Sequence, residues 1–132
     1  MNRLAVKKKN KHAHDRIRDG FHAAFAGLRE TIIFERSFRA MTVIGSLIVI
    51  MMFYFETSPL EKVALLASIC SVLVLELVNS TIERILDFIS PDYDERVRVM
   101  KDLMAAIVLL ASVFSAIIGI IILGPDILAL FE

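Results

Sequence analysis

Three long runs of apolar residues separated by short polar links dominate the chain, at residues 40–55, 60–86 and 103–123. Each is close to the ~20 residues a helix needs to cross a hydrocarbon core of roughly 30 Å. The first run is the shortest and is read as reaching back through residue 38, which sets the spans at about 38–56, 60–86 and 103–123. Upstream, Ile17, Phe21, Phe25, Leu28 and Ile32 recur at helical spacing among Arg16, Arg18, Asp19 and Arg29, predicting an amphipathic helix over residues 15–34. Such a helix suits the membrane interface, and equally the flank of the spans. Gly20 and Gly27 weaken it slightly, or mark the close approach of a ligand or another helix. Residues 1–14 have no apolar period and carry the run KKKNKH, a basic tail of the kind drawn to anionic lipid head groups. Pro59 closes the link ETSP before the second span, and Pro91 sits in the link SPDYDE before the third, where Asp92, Asp94 and Glu95 suit the first turn of a helix. Residues 125–132 form a short C-terminal tail. The expected architecture is all-α and integral to a membrane, with three transmembrane helices plus an N-terminal surface helix.

Composition supports this reading. The chain is 57% hydrophobic, with a mean hydropathy of +0.68 and no net formal charge, too apolar for a soluble domain of 132 residues. No nucleic-acid partner is expected. The long polar start argues against a cleavable signal peptide. Ten of the fifteen basic residues precede the first span, Arg84, Arg96, Arg98 and Lys101 lie between the second and third, and only Lys62 follows the first. Because Lys and Arg are retained on the cytoplasmic side, the N-terminus and the second link are expected in the cytoplasm. Cys70, the sole cysteine, lies in a span and reads as a buried, inert thiol that can form no internal disulfide. His12, His14 and His22 lack the Cys or carboxylate neighbours that would complete a metal site.

The second span is where the pattern breaks. Its sequence SVLVLELVNSTIERILD places Glu76, Asn79, Glu83 and Asp87 on an otherwise apolar helix. At about 100° per residue they fall within an arc of roughly 80°, with Glu76 and Glu83 about 10 Å apart along the axis. An ionised carboxylate near the bilayer centre costs on the order of 2.5 to 3.5 kcal/mol, so such residues point to function by default. The plainer alternative is pairing with Arg84, Arg36 or Arg39, or hydrogen bonding between helices. Glu35 precedes the first span, and Lys101 with Asp102 opens the third. Antiparallel packing of the spans would bring all of these to one membrane face. Carboxylates and a lysine together suit a polyphosphate bound with Mg2+, which takes hard oxygen ligands without a complete protein cage. The phosphate-binding motifs of soluble nucleotide enzymes are absent. Two other classes stay open on these residues: a small transporter or channel subunit whose Glu76 binds a cation or proton, and a structural membrane subunit.

The segment ELVNSTIERILD, residues 76–87, resembles the core E-x-x-N-[ST]-A-I-E-x-x-x-D of the small prokaryotic lipid kinases that include diacylglycerol kinase and undecaprenol kinase, with Thr81 in place of the usual Ala. FERSFR (34–39), KDLMAAIVLL (101–110) and FHAAFAGL (21–28) are similar to further family segments, so the resemblance covers about residues 15–124. It implies a homotrimer in the bacterial inner membrane that phosphorylates a membrane lipid alcohol with ATP and Mg2+, at sites between subunits on the cytoplasmic face. It also implies roles: Glu76 as general base on the lipid hydroxyl, Asn79 orienting that region, and Glu35 and Glu83 holding Mg2+ with the ATP phosphates. Lys101 would contact the phosphates and Asp102 complete that corner, while Arg16, Asp87, Asp92 and Asp94 align with nucleotide-contacting positions. The sequence departs from the family in lacking glycine across residues 103–106 and in carrying Asp94 where His is frequent. The segments FERSFR, SPDY and IIILGP, with no tryptophan anywhere, look more like the undecaprenol kinase branch, so undecaprenol is favoured over diacylglycerol.

Overall fold

A computed structural model describes the backbone of residues 3–131 and the side chains of residues 16–131. Four helices account for almost all of it: α1 Arg3–Phe34, α2 Arg36–Tyr54, α3 Pro59–Ile89 and α4 Glu95–Ala129. The chain divides into two compact units, α1 and everything from Glu35 onward. Helices α2, α3 and α4 are each long and apolar enough to cross a membrane. The all-α, three-span expectation therefore holds.

The helix ends differ from the sequence reading in two places. α1 begins at Arg3 rather than near residue 15, because Lys, Arg and Ala are good helix formers even where no apolar stripe exists. Its first side chains, His12 and His14 among them, lie outside the described residues. α4 runs on to Ala129 with Pro125 inside it, although a tail was expected from residue 125. A proline there removes one N–H from the ladder, and the apolar residues beyond it still extend the helix.

In the second unit α3 is the central element, packing chiefly against α4 and less against α2, while α2 and α4 barely touch. Its start is fixed by local chemistry. Ser58 caps the helix with its Oγ accepting from the Glu61 N–H at 3.4 Å, the Ser58 N–H donates to Glu61 Oε2 at 2.7 Å, and Pro59 occupies the first turn. Glu56, at φ 51°, turns the chain between α2 and α3, and the buried Thr57 hydroxyl donates to the Met52 carbonyl at 3.2 Å. Beside this turn Met52, Leu65 and Leu123 form the apolar core, with Ile48, Ile118 and Ile122 packed around them. Gly45 marks the close approach of α2 to α3, since a Cβ there would lie 2.8 Å from Ile69 Cγ2.

Most other apolar side chains are uncovered. Only 17%, 28% and 11% of the most apolar windows of α2, α3 and α4 are buried, so one copy leaves its helix faces to lipid or to other subunits. Cys70 is one of the uncovered residues, contrary to the expectation of a buried thiol, because it lies on the α3 face turned away from α2 and α4. Helices of 31 and 35 residues measure about 46 and 52 Å, well beyond a ~30 Å hydrocarbon core, so α3 and α4 extend past it. The 19 residues of α2 cover about 28 Å.

Candidate active site

The polar positions gather at the end of the bundle opposite the Met52 core. Arg84, late in α3, donates from Nε at 3.1 Å and Nη2 at 2.9 Å to Glu35 Oε1, the carboxylate just before α2. This pair places the start of α2 level with the last turns of α3. Glu35 is the N-cap residue of α2, yet its side chain makes no capping bond, so the carboxylate is directed toward α3.

Glu76 lies about 12 Å further along α3 from Arg84 and about 26 Å from Pro59. It is only 4% exposed, as are its neighbours Asn79 at 7% and Ser80 at 5%. The Glu76 carboxyl lies near the Ser37 side chain and within electrostatic range of Glu83 and Glu35. Asn79 Nδ2 donates to Glu83 Oε1 at 3.1 Å, one turn up the same face, while the buried Asn79 Oδ1 has no hydrogen-bond partner. Such an orphaned acceptor is rare inside proteins and calls for a ligand or water. Three carboxylates from two helices thus share one corner with an unsatisfied amide oxygen. Among the described residues no group of three or more His, Cys, Asp and Glu is close enough to hold a metal unaided.

A polar cavity of about 280 Å³ opens where α3 gives way to α4. Its lining includes Asp87, Asp92, Asp94 and Lys101, together with Tyr93 and Arg98. Lys101 Nζ is 2.5 Å from Asp87 Oδ1, an interhelical pair. Asp94 caps α4, its Oδ1 accepting from the Arg96 N–H at 2.8 Å. Asp102 is turned outward to Arg98 Nη1 at 2.7 Å, and Arg98 also pairs with Glu95. Tyr93 donates to Glu95 Oε2 at 2.5 Å, which pushes its phenol above the ordinary tyrosine range. Arg16 is exposed on α1, in the other unit, as is His22.

The nominated residues therefore fall into two sets. Glu35, Glu76, Asn79 and Glu83 form a largely buried corner, and Asp87, Asp92, Asp94 and Lys101 line the more exposed cavity beside it. Asp102 lies outside that lining. Sequence reasoning missed Arg98 and Ser37, and it did not offer Glu35 as a partner of Arg84. The Arg98 to Asp102 spacing of four residues was a readable signal. Ser37 gave none.

A second cavity of about 330 Å³ lies deeper, in the cleft between α2 and α4 with α3 as its floor. Met41, Ile44, Ile48, Ile69, Val72 and Leu73 contribute to an almost wholly apolar wall. Glu76 is not in that lining, and Val72 precedes it by one helical turn.

The sequence profile of prokaryotic diacylglycerol kinase matches residues 22–123. The chain belongs to the prokaryotic diacylglycerol kinase family. It is thus a member of a family of membrane lipid kinases, which decides against the transporter and structural-subunit readings. It is 32% identical over 100 residues to the diacylglycerol kinase of Escherichia coli strain K12, covering 76% of this chain and 82% of that protein. It is 30% identical over 118 residues to the undecaprenol kinase of Bacillus subtilis strain 168, covering 89% and 96%. A Synechocystis diacylglycerol kinase is 30% identical over 111 residues, and there the match covers 83% of this chain but 63% of the longer relative.

Proposed function

We propose that this chain transfers the γ-phosphoryl group of ATP to the hydroxyl of a membrane lipid alcohol, undecaprenol in the first place and diacylglycerol in the second. The single observation that carries this reading is the buried carboxyl of Glu76, clustered with Glu83 on α3 and Glu35 at the start of α2, one helical turn beyond the lining of an apolar cleft. The distribution of basic residues supports a cytoplasmic N-terminus and a cytoplasmic position for the polar cavity and the carboxylate corner beside it. ATP then arrives from the water side, and the lipid hydroxyl from the bilayer side.

In this reading the hydrocarbon chain of the acceptor lies in the cleft floored by Ile69, Val72 and Leu73, which presents its hydroxyl to Glu76. The carboxylate accepts the hydroxyl proton as the oxygen forms its bond to the γ-phosphorus, and the bond to the β-phosphate oxygen breaks with ADP leaving as the anion. Protonated Glu76 later returns its proton to water. Asn79 holds Glu83 and offers its free Oδ1 to the acceptor or to an ordered water. Lys101, released from Asp87, neutralises phosphate charge, and Asp92 and Asp94 line the nucleotide cavity. Arg16 and Asp102 are assigned to the nucleotide by family likeness alone.

Mg2+ suits the donor set of Glu35 and Glu83, hard carboxylate ligands hydrogen-bonded by Arg84 and Asn79, too few for a closed cage and so dependent on phosphate oxygens to complete it. When bound, it would neutralise phosphate charge. The uncovered apolar faces of all three spanning helices support a place in the bacterial cytoplasmic membrane with room for subunit contacts, and the homotrimer follows from family likeness.

Preference for undecaprenol rests on the absence of tryptophan and on the near-complete match to the Bacillus subtilis relative. The test is phosphate transfer from radiolabelled ATP in mixed micelles containing either lipid. Turnover at least about tenfold faster on undecaprenol is the expected result, on the scale of substrate discrimination that apolar pockets achieve. The opposite preference would reverse the lipid assignment, and no transfer to either lipid would remove the kinase reading.

A further inference from the structure

The contact that joins Glu35 to Arg84 has no part in the chemistry above. Its geometry is specific: two guanidinium nitrogens converge on one oxygen, Glu35 Oε1, across 49 residues of sequence. It is half-exposed, at 47% for the arginine side chain and 27% for the glutamate, and ion pairs so placed add little to stability. Stability therefore does not account for it. What it does fix is the direction of Glu35. That carboxylate heads α2, where an N-cap side chain ordinarily turns back to its own helix, and here it makes no capping bond. The guanidinium instead holds it against α3, in the corner occupied by Glu83 and Glu76.

We infer that Arg84 is a positioning residue for the proposed metal-phosphate corner: it orients Glu35, through Oε1, toward the face that carries Glu83. The inference rests on the reading of Glu35 and Glu83 as divalent-cation ligands. An arginine suits the task because its charge is permanent and its planar fork fixes the carboxylate it binds. It is also the residue immediately after Glu83, so one turn of α3 supplies both a ligand and the group that aims the second ligand. Outer-shell partners of ligating carboxylates generally alter metal affinity by 10- to 100-fold when removed. A competing expectation has the opposite sign. If the guanidinium merely occupied the cation's place, its removal would leave a more negative corner and tighten metal binding.

The experiment uses the full chain in lipid nanodiscs with a non-hydrolysable ATP analogue, and reads bound Mn2+ by electron paramagnetic resonance. Arg84→Gln is expected to weaken Mn2+ binding by about 10-fold, with Arg84→Lys restoring a large part of it. Glu35→Gln run beside them should weaken binding at least as much. Unchanged or tighter binding in Arg84→Gln, with Glu35→Gln weakened, would overturn the role of Arg84 and leave the metal reading standing. Wild-type binding in Glu35→Gln would take down both. Thermal denaturation of each variant in the same nanodiscs separates these outcomes from misfolding. Should Arg84→Gln fail to fold, Arg84→Met, which keeps the apolar stem and removes the guanidinium, takes its place: Mn2+ binding weakened about 10-fold supports the inference, and unchanged or tighter binding overturns it.

Discussion

The two ends of the three-helix unit are built on opposite rules. Around Met52, Leu65 and Leu123 the side chains are apolar, close-packed and tied to a capped turn, and nothing there is unsatisfied among the described residues. At the other end the least exposed residues of α3 are Glu76, Asn79 and Ser80, and one of their polar atoms has no partner. Like charges gathered in a buried corner oppose folding, since each carboxylate loses solvation and repels the others. The contrast separates the roles: one end holds the helices together, and the other keeps an electrostatically costly arrangement that the proposed cation and phosphates would relieve further. Substitutions at the two ends should therefore move different observables.

The largest effect is expected at Glu76. Replacing it with glutamine keeps the shape and removes the base, so turnover of the lipid acceptor should fall by about 10³-fold, within the range attributed to positioned general bases. Nucleotide binding should persist, and thermal stability should hold or rise, because one of three crowded negative charges is gone. Turnover together with equilibrium binding of an ATP analogue checks this. Equal loss of nucleotide affinity would contradict the division between a deep base and a shallower nucleotide cavity.

Leu65 sharpens the comparison from the other side. It is 1% exposed in the apolar core, and Leu65→Ala should lower stability by about 2 kcal/mol. The value lies at the low end for such truncations because lipid is already apolar, which leaves mainly the lost packing contacts rather than transfer from water. Acceptor KM and turnover below the melting temperature should stay within about twofold. A thermal shift with intact kinetics is the expected pair of readings, the reverse of the Glu76→Gln pair.

What the sequence made legible follows from the same contrast. Apolar runs of membrane length declared the three spans, and carboxylates interrupting one of them declared the corner, because both are departures from composition that no tertiary detail can hide. Side-chain partners were another matter. Arg84 follows Glu83 directly, but consecutive helical residues point about 100° apart, so Arg84 does not share the Glu83 face, and its contact with Glu35, 49 residues away, depends on how α2 packs against α3, which no local pattern records. Cys70 was misjudged for a related reason. On a helix that is apolar all round, periodicity cannot distinguish a face buried in protein from one facing lipid. The start of α1 escaped because helix propensity, unlike an apolar stripe, leaves only a weak trace in a lysine-rich stretch. Acidic residues at the start of α4 were anticipated, since that signal is local, but Asp94 proved to be its N-cap rather than part of its first turn.

The smallest effect lies in the turn that closes the apolar end. Ser58 and Glu61 satisfy each other's backbone N–H groups at the start of α3, so Ser58→Ala removes one partner and leaves the Glu61 N–H to water. Loss of an N-cap of this type costs about 1 kcal/mol. The bond from the Ser58 backbone N–H to Glu61 Oε2 does not depend on the hydroxyl, and Pro59 still pre-sets the first turn, so the helix start should fray without shifting register. A drop of a few degrees in the thermal midpoint, with lipid phosphorylation unaltered, would place the cap on the structural side of the divide. A loss of activity larger than the loss of stability would mean that strain introduced at this turn travels the length of α3 to Glu76, and the two ends would then have to be treated as one coupled device.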